Sequence, residues 1–142
     1  MGKVHEFERR VEFRDTDAAG IVHFSVFFAY MEQAEHDFWR SLGTSVVHRT
    51  GDAILSWPRV SAECDYKVAI KFEQIIRIQV RVLKIGTKSL QFGFCFFRDN
   101  EQIATGKITT VCCEVGEGRK LNSVTIPEDI RSLVEPFLEI PS

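Results

Sequence analysis

The stretch FSVFFAYMEQAEHDFWRSLG, residues 24–43, decides the architecture of this chain. Apolar residues recur in it at spacings of three and four, which is the period of an amphipathic α-helix. These apolar positions are Phe24, Phe27, Phe28, Met31, Ala34, Phe38 and Leu42. Gly43 follows them directly, and glycine is a favoured residue just past the end of a helix. The sequence therefore predicts one long helix from Phe24 to Leu42, with Glu35 on the polar side that faces solvent or another subunit.

Outside this helix the apolar pattern has a period of two, which is typical of half-buried β-strands. One strand precedes the helix, and four follow it as consecutive antiparallel strands, at 59–66, 76–85, 90–97 and 103–115. A short helical turn is predicted within 45–51 and a short helix within 127–138. A single helix covers five strands only if the sheet curls around it. We therefore expect an α+β fold in which a five-stranded antiparallel sheet wraps around one long central helix.

The composition fits one globular domain that spans residues 1–142. Its 18 basic and 20 acidic residues give a formal net charge of −2, without the basic excess of a nucleic-acid-binding protein. The four cysteines have neither disulfide-scaffold nor zinc spacing. No apolar run is long enough for a signal peptide or a membrane span. We therefore expect a soluble, cytoplasmic protein that binds no metal, nucleic acid or membrane.

The densest cluster of chemically capable side chains is RDTDAAGIVH, residues 14–23, directly before the helix. Asp15 and Asp17 lie there beside the amides of the helix start, which lack intrahelical partners and carry the positive end of the helix dipole. Such an amide stabilises an oxyanion, while a carboxylate attacks a carbonyl or activates water. The same aspartates are also common capping residues, and a histidine such as His23 is often only packed. The residues alone leave catalysis and capping open, and the other histidines, including His48, are expected to be solvated.

The motif DTDAAGIV at 15–22, followed by an aromatic-rich helix that ends in FWRSLG at 38–43, resembles the hotdog-fold acyl-CoA thioesterases of the 4-hydroxybenzoyl-CoA thioesterase type. The resemblance covers about residues 4–130. Further matching segments are Cys64-Asp65-Tyr66, residues 76–85, Gly86-Thr87-Lys88-Ser89-Leu90, Ala104-Thr105-Gly106 and Ile126-Pro127. The resemblance implies a hotdog fold and the hydrolysis of a coenzyme A thioester to a free acid and CoA.

The resemblance also implies roles for particular residues. Asp17, the second aspartate of the motif, is the implied catalytic carboxylate, as nucleophile or as general base toward water. The backbone amide of Phe24 is the implied oxyanion donor, and His23 lies beside it as a third catalytic candidate. The residues expected to contact the substrate or its CoA are Gly20, Val22, Thr87, Lys88, Ser89 and Arg119. Lys88 is alternatively an ordinary solvated turn residue, and no cofactor is implied beyond the coenzyme A of the substrate.

Departures from the family pattern keep two other functions open. Relatives commonly carry an asparagine where this chain has Val26, which favours a non-catalytic acyl-CoA sensor on the same fold. A hotdog dehydratase or hydratase needs a histidine paired with a carboxylate, and His23 is its candidate. Aromatic, short aliphatic and medium-chain acyl groups are all compatible with the phenylalanine-rich walls.

The expected sheet leaves a strand edge exposed, and exposed edges tend to be paired. We therefore expect a homodimer joined edge to edge, with the active sites at the interface. Strand residues such as Trp57 or Val60 would then line the acyl pocket across that interface. The resemblance implies a further doubling to a dimer of dimers, with an acyl-CoA as the small-molecule partner.

Overall fold

The computed structural model describes residues 2–140 and confirms the α+β class. In chain order the helices and strands are β1 (His5–Arg10), α1 (Val26–Ser41), β2 (His48–Thr50), β3 (Ala53–Ser56), β4 (Arg59–Tyr66), β5 (Ile75–Ile85), β6 (Ser89–Arg98), β7 (Glu101–Val111), β8 (Cys113–Val115), β9 (Leu121–Ser123) and α2 (Glu128–Val134). Short 3₁₀ helices are found at Phe13–Asp15, Glu117–Arg119 and Glu135–Phe137. Within residues 2–140, no helix is both long and apolar enough to cross a membrane.

Five strands form the main antiparallel sheet, in the order β1-β5-β6-β7-β4. One row of residues crosses all five strands, because Phe7, Ile78, Phe96, Ala104 and Tyr66 lie opposite one another in turn. The expectation that the four strands after α1 pair consecutively is wrong for β4, which pairs with β7 and not with β5. The β4 strand is therefore an edge of the sheet, and most of its residues are exposed.

The segment 67–74 explains why β4 and β5 lie apart. The amides of Lys67 and Val68 donate to the Ile103 carbonyl at 2.9 and 3.1 Å, on the β7 side of the sheet. The Glu73 amide donates to the Val11 carbonyl at 3.0 Å, just beyond β1. The segment thus carries the chain across one end of the sheet before β5 begins.

Helix α1 packs on one face of the main sheet. Phe38 meets Phe92 of β6 edge to face, with ring centroids 5.7 Å apart. At Gly106 of β7 a Cβ atom would collide with the end of the Met31 side chain, which projects from α1. The glycine therefore leaves room for this buried side chain on the face of the sheet.

The N-terminus of α1 differs from the prediction and its C-terminus agrees with it. The helix begins at Val26 and not at Phe24, which is 63% exposed and takes no part in the buried face. Gly43 has a φ of +82°, and the Thr44 amide donates to the Trp39 carbonyl at 3.2 Å. These features are those of a Schellman motif, so the predicted glycine stop is confirmed.

A second antiparallel sheet, in the order β2-β3-β8-β9, was not predicted. The helical turn predicted within 45–51 is wrong, because His48 begins strand β2. The His48 ring is buried against Trp39 and Trp57, with centroid distances of 4.8 and 5.9 Å. The expectation that His48 is solvated is wrong for the same reason.

The second sheet continues the β4–β7 pair beyond the end of the main sheet. Arg59 lies opposite Thr110 in the main sheet, and Ser56 lies opposite Cys113 in the second sheet. The second sheet therefore projects past the N-terminal end of β4. The short helix predicted near the C-terminus is confirmed as α2.

Candidate active site

The loop between β1 and α1 folds back on itself around Asp17. The Asp17 amide donates to the Ile21 carbonyl and the Gly20 amide donates to the Asp17 carbonyl, both at 2.9 Å. Gly20 has a φ of +82°, a left-handed conformation that favours glycine. The Ala19 amide donates to Oδ1 of Asp17 at 2.8 Å. This bond orients the carboxylate, and none of residues 2–140 donates a hydrogen bond to its Oδ2.

Asp15 has a different environment from Asp17. It is 6% exposed, and its Oδ2 accepts hydrogen bonds from the Tyr30 hydroxyl at 2.7 Å and the Glu12 amide at 2.9 Å. The Arg9 guanidinium lies 3.7 Å from the same oxygen. Burial, together with the bond and the negative charge of Asp15, raises the pKa of Tyr30. Asp15 is therefore an anchor of the loop, whereas Asp17 is only partly buried.

The turn that leads into α1 leaves the Phe24 backbone amide without a partner. The Ser25 amide donates to Nδ1 of His23 at 3.2 Å, and the Val26 amide donates to the His23 carbonyl at 2.9 Å. No acceptor within the described residues, 2–140, bonds to the Phe24 amide, which is the predicted oxyanion donor. The His23 ring stacks on Phe24 with centroids 4.5 Å apart, and its Nδ1 lies 2.8 Å from the Ser25 hydroxyl.

A cleft of about 420 Å³ adjoins this loop. Its walls are formed by Asp17, Ile21, Val22, Phe24 and Phe27 on one side and by residues 66–70 on the other. The Tyr66 hydroxyl donates to the Phe24 carbonyl at 2.8 Å, and the Tyr66 ring meets Phe27 edge to face at 4.9 Å. Tyr66 thus ties the end of β4 to the start of α1. Sequence reasoning assigned it no role, although it belongs to the matching segment Cys64-Asp65-Tyr66.

The residues that line the cleft include Asp17, whose carboxylate is oriented by the Ala19 amide, and Phe24, whose own amide has no partner within residues 2–140. The remaining walls are mostly apolar. Lys67 is the cationic residue in the lining, and its Nζ donates to the Gln102 side chain at 2.9 Å. Of the predicted site residues, Asp17, Val22 and Phe24 line the cleft, and Gly20 and His23 lie in the same loop without lining it.

The predicted CoA-binding turn lies far from this cleft within one chain. Thr87 and Lys88 connect β5 to β6, whereas the cleft lies at the opposite end of the sheet, near Phe96. Phe96 lies six positions after Leu90 along β6, which corresponds to roughly 20 Å. The Thr87 and Lys88 carbonyls accept the amides of Ile126 and Cys112 at 2.9 and 2.7 Å, so the turn is fixed in place. Ser89 begins β6 next to this turn.

Arg119 lies in the turn between β8 and β9, with a φ of +59°. It lines a groove on the second sheet together with Arg49, which sequence reasoning did not select. Only the fold shows this pairing, since the two arginines are seventy positions apart and neither belongs to a motif.

Two residues near the N-terminal end of β4 differ from expectation. Glu35 is fully buried and not on a solvent-facing side, because its carboxylate lies 2.6 Å from the Arg59 guanidinium and accepts the Trp39 indole N–H at 3.1 Å. Burial raises the pKa of Glu35 against the opposing effect of Arg59. Trp57 is stacked on Trp39 and 2% exposed, so it does not reach an interface, whereas Val60 is exposed on the edge strand.

The fold and the cleft define a protein of the thioesterase class. Residues 11–134 match the Thioesterase-like superfamily, and the chain belongs to that superfamily. It is accordingly a thioester hydrolase.

Individual relatives agree with this assignment. A provisionally named esterase of Aquifex aeolicus (strain VF5) is 30% identical over 129 residues, which cover 91% of this chain and 96% of that protein. The acyl-CoA thioesterase YbgC of Haemophilus influenzae is 21% identical over 126 residues, which cover 89% of this chain and 90% of that protein. The structure of a 1,4-dihydroxy-2-naphthoyl-CoA thioesterase from Synechocystis superposes with a TM-score of 0.79 at 18% identity, covering 93% of this chain and 96% of that one. At that identity the superposition shows a shared fold.

Proposed function

We propose that this protein hydrolyses a coenzyme A thioester to a carboxylic acid and CoA, with Asp17 as the catalytic carboxylate. The observation that carries the proposal is the presence, in one cleft, of the oriented Asp17 carboxylate and the unpartnered Phe24 amide. The relatives named for acyl-CoA and naphthoyl-CoA substrates support CoA as the thiol half of the substrate.

Two chemical courses fit this geometry. In the first, an Asp17 oxygen bonds to the thioester carbon, the C–S bond breaks, the thiolate takes a proton from solvent, and water then cleaves the acyl–aspartate anhydride. In the second, Asp17 accepts a proton from water as the water oxygen attacks, and that proton passes to the departing thiolate. Charge develops on the carbonyl oxygen in both, where the Phe24 N–H is the donor, and such a donor is typically worth about 3 kcal/mol of barrier. Neither course requires a cofactor.

His23 serves this reaction by shaping the turn. Its ring nitrogen and its carbonyl accept the Ser25 and Val26 amides, and these bonds fix the backbone on either side of the unbonded Phe24 amide. The hydratase alternative needs a histidine that is paired with a carboxylate. Within residues 2–140 the ring of His23 is hydrogen-bonded to Ser25 and to no carboxylate, so the geometry favours hydrolysis over hydration.

The proposed working unit is a homodimer joined through β4. This edge strand exposes the uncharged residues Val60, Ser61 and Ala62, whereas the opposite edge, β1, is rich in charged residues that discourage pairing. A two-fold axis at Ala62 makes the two strands antiparallel and places Ser61 opposite Glu63 of the second chain. An axis at Glu63 would instead place two like charges opposite each other, which is destabilising.

This dimer also accounts for the distant CoA-binding candidates. A two-fold axis reverses the β4 strand of one chain relative to that of the other. The Thr87–Ser89 turn of the second chain therefore lies at the same end of the joined sheet as the Asp17 cleft of the first chain. Thr87, Lys88 and Ser89 of the second chain then contact the CoA phosphates, while Gly20 and Val22 of the first chain contact the acyl end. The face of the joined sheet that α1 does not cover remains available for the association of two dimers into a dimer of dimers.

The acyl group that fits these walls best is aromatic, because Phe24, Phe27 and Tyr66 present ring faces and edges to the cleft. Short and medium-chain aliphatic acyl groups should be tested beside aromatic ones. Cys64, Cys95, Cys112 and Cys113 are all unpaired, which suits a reducing compartment, and we place the protein in the cytoplasm.

The decisive experiment measures thiol release from aromatic, short-chain and medium-chain acyl-CoA substrates by the wild-type protein and by Asp17→Asn. We expect turnover of at least one substrate and its loss in the variant. Wild-type turnover in Asp17→Asn would overturn the mechanism. Tight binding of a nonhydrolysable acyl-CoA analogue, with no thiol release from any member of the panel, would favour the acyl-CoA sensor instead.

A further inference from the structure

The Tyr66 hydroxyl has no role in the proposed reaction, although the Tyr66 ring lines the Asp17 cleft. Tyr66 is the last residue of β4, which pairs with β7. The two amides that follow it, those of Lys67 and Val68, both donate to the Ile103 carbonyl. The backbone at Tyr66 is therefore fixed by the main sheet and not by the loop that carries Asp17.

The Tyr66 ring is also held from the side of α1. It meets Phe27 edge to face with centroids 4.9 Å apart, and Phe27 in turn meets Phe96 of β6 at 5.4 Å. Phe27 and Phe96 are both buried, so the ring of Tyr66 rests on the core. From this fixed position its hydroxyl donates to the Phe24 carbonyl at 2.8 Å.

The position of Phe24 depends on its backbone, because its side chain is 63% exposed and α1 begins only at Val26. The bonds from the Ser25 and Val26 amides to His23 hold the turn around Phe24, but neither bond includes an atom of Phe24 itself. The bond from the Tyr66 hydroxyl connects the Phe24 backbone directly to the main sheet.

The direction of the Phe24 amide follows from the peptide bond that contains it. The His23 carbonyl accepts the Val26 amide at 2.9 Å, so it points toward the start of α1. The peptide bond between His23 and Phe24 is trans, and in a trans peptide the carbonyl and the N–H point in opposite directions. The Phe24 N–H therefore points away from the Val26 amide. A rotation of the Phe24 backbone would change this direction, and the bond to the Phe24 carbonyl opposes such a rotation.

We infer that Tyr66 is a positioning residue for the oxyanion donor, whose hydroxyl holds the Phe24 backbone so that the Phe24 amide faces the thioester carbonyl. The inference rests on the proposed thioesterase function and adds a residue to it. Tyr66 transfers no proton in this role, because its hydroxyl hydrogen is directed at the Phe24 carbonyl. Burial raises the pKa of Tyr66, so the hydroxyl keeps that hydrogen at neutral pH.

The test is Tyr66→Phe, which removes the hydroxyl and keeps a ring to pack on Phe27. For an acyl-CoA that the wild type hydrolyses, we expect kcat to fall about tenfold, which is part of the roughly 10²–10³-fold that loss of an oxyanion donor costs. KM should stay at its wild-type value, because the donor acts on charge that develops only in the transition state. The dependence of kcat on pH should keep its wild-type shape. Ser123→Ala, which removes an exposed hydroxyl on β9, is the matched control and should keep the wild-type kcat.

Backbone ¹⁵N relaxation separates this inference from the proposed function. In Tyr66→Phe the order parameters of the Phe24 and Ser25 amides should fall below their wild-type values, while those within α1 stay unchanged. That result supports the positioning role even if no thioester is hydrolysed. Unchanged order parameters, or an unchanged kcat, overturn the positioning role and leave the thioesterase intact. A loss that appears in KM also overturns it, as does a changed pH profile, which would make Tyr66 a catalytic acid.

Discussion

The two aspartates of the loop are two residues apart, yet the structure predicts opposite consequences for the same substitution. In Asp15→Asn the buried carboxylate loses its charge, although Tyr30, Glu12 and Arg9 still surround it. Weakening these charge-assisted bonds costs about 2–3 kcal/mol of unfolding free energy. For a chain of this length each kcal/mol corresponds to about 3–4 °C, so Tm should fall by about 6–12 °C.

Asp17→Asn should have the reverse profile. The asparagine oxygen still accepts the Ala19 amide, and the site is only partly buried, so the unfolding free energy should change by less than about 0.5 kcal/mol. Loss of the nucleophile or base should reduce kcat by about 10²–10⁴-fold. Thermal denaturation and thiol release, the latter measured well below both melting temperatures, give the two readouts for each variant. A stable but inactive Asp15→Asn beside an active Asp17→Asn would refute the assignment of roles.

Three further substitutions test other parts of the structure. Burial raises the pKa of Glu35, so the contribution of its protonated carboxyl to the unfolding free energy is fully present below the ordinary pKa of 4.5 and is lost as pH rises through the raised pKa. Urea midpoints measured from acid to neutral pH should therefore show the wild type losing stability relative to Glu35→Gln. A difference between the two midpoints that stays constant with pH would contradict this. Ala62→Cys in a Cys64→Ser background should form an intermolecular disulfide, because an antiparallel pair of β4 strands brings facing Cα atoms to about 4.5–5.5 Å. Non-reducing electrophoresis would then show a dimer for this variant and none for Glu63→Cys. The opposite result would place the two-fold axis of the dimer at another residue. Gly106→Ala should lower the unfolding free energy by about 1–3 kcal/mol through the collision with the Met31 side chain. An unchanged denaturation midpoint would show that this side chain moves aside freely.

Periodicity predicted the strands and the long helix because both depend on which residues are buried along a single element. It placed the helix start at Phe24, since an aromatic residue in the correct phase looks buried although this one is exposed. The true start depends on bonds from Ser25 and Val26 to His23, which hydropathy does not register. Periodicity likewise identifies β4 as a strand but carries no information about its partner.

In the candidate site, too, features within one segment could be predicted and features that depend on distant residues could not. The properties of the loop residues indicated where a carboxylate would meet the helix start, but only the family resemblance selected Asp17 over Asp15. The difference is caused by Tyr30, a residue fifteen positions later that reaches back to Asp15. The burial of His48 against two tryptophans and the position of Arg49 and Arg119 along one groove also depend on the tertiary fold. Patterns within one segment cannot contain such contacts.

The separation of the Asp17 loop from the Thr87–Ser89 turn, at opposite ends of one sheet, has a genetic consequence. In the proposed dimer every site takes its carboxylate from one chain and its phosphate contacts from the other. A chain damaged only at the loop and a chain damaged only at the turn would each be impaired alone, yet a heterodimer of the two would contain one intact site and one site damaged twice. Mixing the two chains in equal amounts would therefore restore about a quarter of the wild-type sites. Two defective alleles of this gene would complement each other when their lesions lie at opposite ends of the sheet.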